Sequence, residues 1–259
     1  MQDWASHAST ALVLAHPGHE LLLHHFLERH RPLVFVLTDG SGGEGEDRSD
    51  FSRRVIEAAG ARIGCVFGPA PDRAWYGAIL EGDPRPFLAA RAAILQACLQ
   101  AGVERLVCDP IEQFNPMHDL CAILAGSVAH ELARTLGREV PVYDYPVEVD
   151  WSGQRCDLEL TLAPDALARK IAAADAYYPL AAEVEARAGS SSFTVERLRR
   201  ADPSQSWPAQ PDREAFYETF GRRRLAEGGY DRLITYAGHV RPIAMALASS
   251  RESGVAHCA

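Results

Sequence analysis

The chain has 259 residues, 47% of them hydrophobic and 24% charged, with a formal net charge of −9. That length is enough for a full core, and the composition is that of a globular chain. The acidic balance excludes a broad nucleic-acid surface, which needs a basic field, and no apolar run is long enough to form a membrane span.

From the N-terminus, Met1–Thr10 has no cationic stretch followed by an apolar one. No signal peptide is expected, and a cytoplasmic location follows. Residues 10–15 form an apolar, β-favouring run that His16-Pro17-Gly18 breaks. Residues 19–29 carry leucines and Phe26 at helical spacing, and 33–37 form a second apolar run closed by Thr38-Asp39-Gly40. A helix over 49–60, a strand at 63–67 and a long helix over 85–101 follow. A strand at 105–108 ends at Asp109-Pro110, and a helix over 118–136 and a strand near 141–147 complete the series. Short apolar strands alternating with helices predict a Rossmann-like α/β fold, with a mostly parallel sheet covered on both faces.

The remainder is less regular. Residues 165–187 are Ala-rich with helical periodicity. Residues 201–212 hold Pro203, Pro208 and Pro211 and predict a loop, and 213–248 read as two helices broken around Gly228-Gly229. The expectation is one domain over 1–259, with a core at about 10–180 and a C-terminal helical extension at about 190–259. Six cysteines lie scattered without a CxxC pair and read as buried hydrophobes. Cys121, three residues after His118, is read the same way. The stretch from Gly40 to Asp47 lacks the Gly-Lys-Ser/Thr ending of a phosphate loop, and its acids repel phosphate.

Chemistry concentrates at two points. His16, His19 and Glu20 sit where the first strand turns into the first helix. Asn115-Pro116-Met117-His118-Asp119 follows the strand that ends at Asp109. Open α/β sheets place ligands beyond the carboxyl ends of strands, where strand order reverses. In a 3-2-1-4-5 order the first and fourth strands are neighbours there, and His118 faces the His16/His19 turn. Three convergent imidazoles suit Zn²⁺, with a fourth position left open. Fe²⁺ or another divalent transition metal suits the same donors. His24, His25 and His30 follow nearby, so solvated surface is the plain alternative for a histidine-rich helix start.

These residues resemble the N-acetylglucosaminylphosphatidylinositol deacetylase (PIG-L/LmbE-like) family over roughly residues 10–180. The family's first motif reads Ala-His-Pro-Asp-Asp-Glu, against Ala15-His16-Pro17-Gly18-His19-Glu20 here. Its second reads His-Pro-Asp-His, against Asn115-Pro116-Met117-His118. Leu37-Thr38-Asp39-Gly40 matches the turn after the family's second strand, and Lys170 matches a late helix. The resemblance implies a Rossmann-like fold and a zinc-dependent hydrolase that removes acetyl groups from amino sugars and related amides. It implies His16, His19 and His118 as metal ligands and a small-molecule substrate.

The departures are specific. The family's general base is an Asp, and Gly18 stands in its place. The family's second Asp is a ligand, and His19 replaces it, which removes one negative charge from the site. Substitute catalytic groups are Asp39 at the next strand end, Glu20 beside His19, and His239 if the C-terminal segment folds over the cleft. Asp119 adjoins His118, and Asp109 is placed to orient a ligand imidazole. Two readings remain: an amide hydrolase with a relocated base, or a non-hydrolytic metalloprotein of the same fold with lost activity or redox chemistry.

Overall fold

The computed structural model describes residue 4 and residues 8–42, 45–182, 185, 191–201 and 214–249. Its strands are β1 (Thr10–Leu14), β2 (Leu33–Val36), β3 (Arg62–Phe67), β4 (Arg105–Cys108), β5 (Val142–Asp144), β6 (Leu158–Thr161) and β7 (Val195–Arg200). They form one sheet in the order β3-β2-β1-β4-β5-β7-β6. The first five pair in parallel, as the 3-2-1-4-5 expectation requires. β7 then runs antiparallel to both β5 and β6.

The helices described are α1 (His24–His30), α2 (Ser49–Ala58), α3 (Asp72–Leu80), α4 (Arg85–Ala101), α5 (Pro116–Leu136), α6 (Pro164–Asp175), α7 (Phe216–Ala226) and α8 (Arg241–Ser249). Period-two alternation along β1 divides the core. Ala11 and Val13 join Phe35, Leu106 and the apolar faces of α4, α5 and α8 on one side. Leu12 and Leu14 join Val34, Val36, Phe26 and Ile56 on the other. Both faces of the sheet are therefore covered, and this is why β1 and β2 read as uninterrupted apolar runs.

Three expectations change in detail. The helix placed at 19–29 opens as a 3-10 turn, His19–Leu23, before α1. The helix placed at 165–187 is interrupted after Asp175, and helical backbone returns at 181–182. Tyr178 precedes Pro179, where the ring disfavours continued α backbone, and a 3-10 turn over Tyr178–Leu180 follows. The extension beyond residue 190 opens with one short helical turn, Ser191–Thr194, and then a sheet strand, β7, before its longer helices. The interruption near Gly228-Gly229 is present between α7 and α8, where Tyr236–Val240 forms a π-turn. The proline-rich loop, apart from Ala201, lies outside the described residues, as does Cys258. Among the described residues no helix is long and apolar enough to cross a membrane.

Candidate metal centre

β1 lies between β2 and β4, so the chain leaves it in opposite directions and a crevice opens at the carboxyl ends of β1 and β4. Val13 pairs with Cys108 at that end. One step further, the Ala15 N–H donates to Asp109 Oδ2 at 2.8 Å, which joins the two strand exits. His16 and His19 come from the exit of β1. His118 comes from the first turn of α5, where Asn115 caps the helix by accepting the Met117 N–H at 2.8 Å.

The three rings gather. Their centroids are 5.5 Å apart for His16 and His19, 5.3 Å for His16 and His118, and 4.7 Å for His19 and His118. Two have a carboxylate beside Nδ1, hydrogen-bonded in the case of His19 and in close contact in the case of His16. His19 Nδ1 lies 2.9 Å from Asp109 Oδ2. His16 Nδ1 lies 2.9 Å from Thr38 Oγ1 and 3.2 Å from Asp72 Oδ1. A carboxylate on Nδ1 fixes the tautomer and leaves Nε2 as the ligand atom, the usual arrangement around a metal. His16 Nε2 is buried and has no hydrogen-bond partner among the described residues. A buried polar atom of this kind calls for a partner from outside the chain, so the donor set fits a cation.

Ligand atoms of His19, Asp109 and His118 all lie within 4.8 Å of one another. The hydrogen bonds give Asp109 a different part. Its Oδ2 accepts from Ala15 and His19, and its Oδ1 accepts from Tyr145 Oη at 2.5 Å. With both oxygens engaged, Asp109 is placed to orient His19, and His16 stands outside this closest group of ligand atoms. Burial alone would lower the His19 pKa, but the Asp109 carboxylate beside it raises it. Burial would likewise raise Asp72 and Asp109, and the adjacent imidazoles hold both well below the usual carboxylate range.

The substitute bases are engaged away from the rings. Glu20 is fully buried, accepts the Gly18 N–H at 2.8 Å and the Ser52 hydroxyl at 2.5 Å, and fastens the turn from behind. Asp39 Oδ1 accepts the N–H groups of Ser41 and Asp72. His239 Nδ1 accepts the Thr235 N–H at 2.9 Å inside the π-turn. Residues lining the cleft above the rings include neither these three nor Asp119. Asp119 holds the N–H groups of Glu112 and Gln113, and its burial pushes its carboxyl up to about 7. Cys121 is buried and donates to the Val13 carbonyl, a packing role. His25 bonds Glu28, and His30 packs on Phe26.

Gly18 explains why an acid is absent at its position. Its φ is +107°, outside the range L side chains adopt readily, and a Cβ there would lie 2.2 Å from Leu180 Cδ1. The volume an acidic side chain would need is filled by the turn after α6.

The cleft measures about 850 Å³, and Asp72 and Glu148 are the carboxylates on its lining. Sequence reasoning missed Asp72, although Pro71-Asp72 after β3 is a helix-start signal. It also missed Tyr145 and Thr38, whose roles depend on register.

No family model matches the sequence, and no curated protein matches it. Solved structures do match. A triple mutant (Orf2*T) of a deacetylase from the teicoplanin biosynthetic pathway is 14% identical, covering 75% of this chain and 99% of that one, with a TM-score of 0.48. The A40926 pseudoaglycone deacetylase Dbv21 is 15% identical, covering 87% and 95%, with a TM-score of 0.45. The zinc-inhibited form of the teicoplanin deacetylase Orf2 is 12% identical, covering 75% and 99%, with a TM-score of 0.42.

Proposed function

We propose that this chain is a metal-dependent hydrolase that cleaves a C–N amide bond in a small molecule, a divergent deacetylase of PIG-L/LmbE-like type. The observation that carries this is the doubled carboxylate–imidazole pairing, Asp109 on His19 and Asp72 on His16, beside a buried His16 Nε2 with no partner among the described residues. His16, His19 and His118 are the ligands in this reading, and zinc is the ion, with Fe²⁺ fitting the same donors. When bound, the ion supplies Lewis-acid polarisation of an amide carbonyl and acidifies water.

The protein's own contribution is position and proton transfer. Asp109 holds His19 by Nδ1, Thr38 holds His16 by Nδ1 with the Asp72 carboxylate 3.2 Å away, and Glu20 holds the turn that carries both rings. We assign the proton-moving role to Glu148. It lines the cleft, follows β5, and its charge acts on His19. Asp72 suits that role poorly, because a carboxylate held so acidic by His16 is a weak base.

The test has two stages. Protein purified without chelator is analysed for transition metals beside His16→Ala; absence of metal in the parent protein overturns the reading. Acetate release is then assayed from N-acetylated sugars and amides. Glu148→Gln is expected to keep the metal and lose turnover, with a changed acid limb in the pH profile. Metal retention without any amide hydrolysis rejects the hydrolase.

The closed Gly18 position favours a second reading, in which the same centre binds metal without hydrolysis. A paramagnetic metal with oxygen uptake, and no acetate release, selects it.

A further inference from the structure

The cleft has one wall unlike the rest of the surface. Phe114 and Phe216 stack with centroids 4.3 Å apart and planes 5° apart. Phe216 continues to Phe220 at 5.8 Å, and Phe220 to Tyr230 at 6.4 Å. All four rings line the cleft. Phe114 is 37% exposed, Phe216 46% and Tyr230 47%, although each packs against another ring. Phe216 and Phe220 stand one helical turn apart on α7, so the helix presents them together. Phe114 immediately precedes Asn115, the cap of the helix that carries His118.

The wall and the candidate metal centre line the same cleft. Tyr76 stacks on His16, planes 12° apart, and its hydroxyl donates to Asn115 Oδ1 at 3.0 Å. A contiguous exposed apolar surface inside a concave site marks a ligand contact. Its chemistry is narrow. Successive rings from Phe114 through Phe216 to Phe220 lie within 24° of parallel and offer flat faces for offset stacking, Tyr230 stands edge-on at 68° to Phe220, and the Phe rings carry no hydrogen-bonding groups. The cations on this side are already engaged: Arg232 donates to the Leu80 carbonyl and pairs with Glu81, Arg223 lies over the Phe220 ring at 5.2 Å and Arg224 over the Tyr230 ring at 5.6 Å. A hydroxyl-rich sugar ring placed here would leave its hydroxyls unpaired, which costs binding.

From this we infer that Phe114 together with the C-terminal segment forms the specificity wall of the site, and that the substrate is an amide bearing a planar aromatic group, which stacks on the Phe114–Phe216–Phe220 ladder. The inference rests on the hydrolase reading for the word substrate, but its ring selectivity is a binding property that can be measured alone.

The experiment compares three probes on the zinc-loaded full chain: acetanilide, N-cyclohexylacetamide and N-acetylglucosamine. Binding is read by ligand-detected NMR titration, and acetate release is read in parallel. Acetanilide is expected to bind about threefold to tenfold more tightly than the saturated analogue, the range of one aromatic pair beyond area burial. Phe216→Leu keeps an apolar side chain at an exposed site and is expected to bring that ratio to about one. Phe220→Leu is the second variant if Phe216→Leu fails to fold. Equal binding of acetanilide and N-cyclohexylacetamide overturns the inference. So does tighter binding of N-acetylglucosamine, or a ring preference that survives both leucine variants. Ring-selective binding without acetate release leaves the wall standing and removes the hydrolase. Acetate release without ring preference does the reverse.

Discussion

Asp109 Oδ2 stands 2.9 Å from His19 Nδ1 and, at the same time, 2.8 Å from the Ala15 amide. One oxygen thus ties the His19 ring to the exit of β1, so the sheet itself sets the ring's orientation. Asp109→Asn keeps one acceptor but places an NH₂ group against groups that already donate. Metal affinity is expected to fall about 10- to 100-fold, as for other partners of ligand histidines. Competition with a chelator of known affinity reads this directly. Unchanged affinity in a folded Asp109→Asn protein would remove Asp109 from the centre.

Restoring an acid at Gly18 is expected to fail as a gain of function. The backbone there is at φ +107°, and the new Cβ would meet Leu180 at 2.2 Å. Backbone strain costs on the order of 1–3 kcal/mol before any clash is counted. Gly18→Asp should therefore melt lower than the parent and release no additional acetate. Adding Leu180→Ala should recover only the steric part of the loss. A single Gly18→Asp that is both stable and more active would show that the turn tolerates the acid.

The parallel half of the sheet was legible because β1, β2 and β4 are buried along their whole length and carry apolar side chains on both faces. β7 was not, because it reads Val-Glu-Arg-Leu-Arg-Arg and four of its six residues carry charge. Those charges are satisfied by distant partners: Glu196 by Lys170, Arg197 by Glu159, and Arg199 by Asp144 and the Trp151 ring. No local pattern reports such pairings. The same distinction runs through the site. The three histidines follow from strand order and motif spacing. Asp72 acts from α3, nine residues containing Gly77, and its approach to His16 is set by tertiary packing.

A pH effect is expected at the contact between α1 and α6. Arg169 hydrogen-bonds Glu28 and, with His25, holds its carboxyl down from 4.5 to about 2 despite partial burial. The group's folded pKa is depressed. Its stabilisation is therefore complete above the ordinary carboxylate range and disappears as pH falls toward 2. Arg169 is half exposed, so solvent screening keeps the contribution small. Glu28→Gln should melt slightly lower than the parent at neutral pH and converge with it in acid. Parallel melting curves across that range would argue against the pair.

Lys170, the chain's single lysine, supports the site from beneath. Its Nζ is buried, donates to the Leu22 carbonyl at 3.0 Å and pairs with Glu196 Oε1 at 2.9 Å. Glu196 in turn accepts the His25 and Phe26 N–H groups, donors at the start of α1 that have no partner within the helix. Lys170→Met strands a buried carboxylate and should cost about 3–5 kcal/mol. At ~2–4 °C per kcal/mol for a domain of this size, the midpoint drops by roughly 6–20 °C. Replacing both partners by apolar groups often restores a buried ion pair's cost in full. Here Lys170→Met with Glu196→Met should recover only part, because the α1 N–H groups lose their acceptor in the same step. The double variant should melt between Lys170→Met and the parent. A Lys170→Met midpoint within ~2 °C of the parent, less than 1 kcal/mol on the same scale, would mean that the pair does not hold the 3-10 turn of His19 in place.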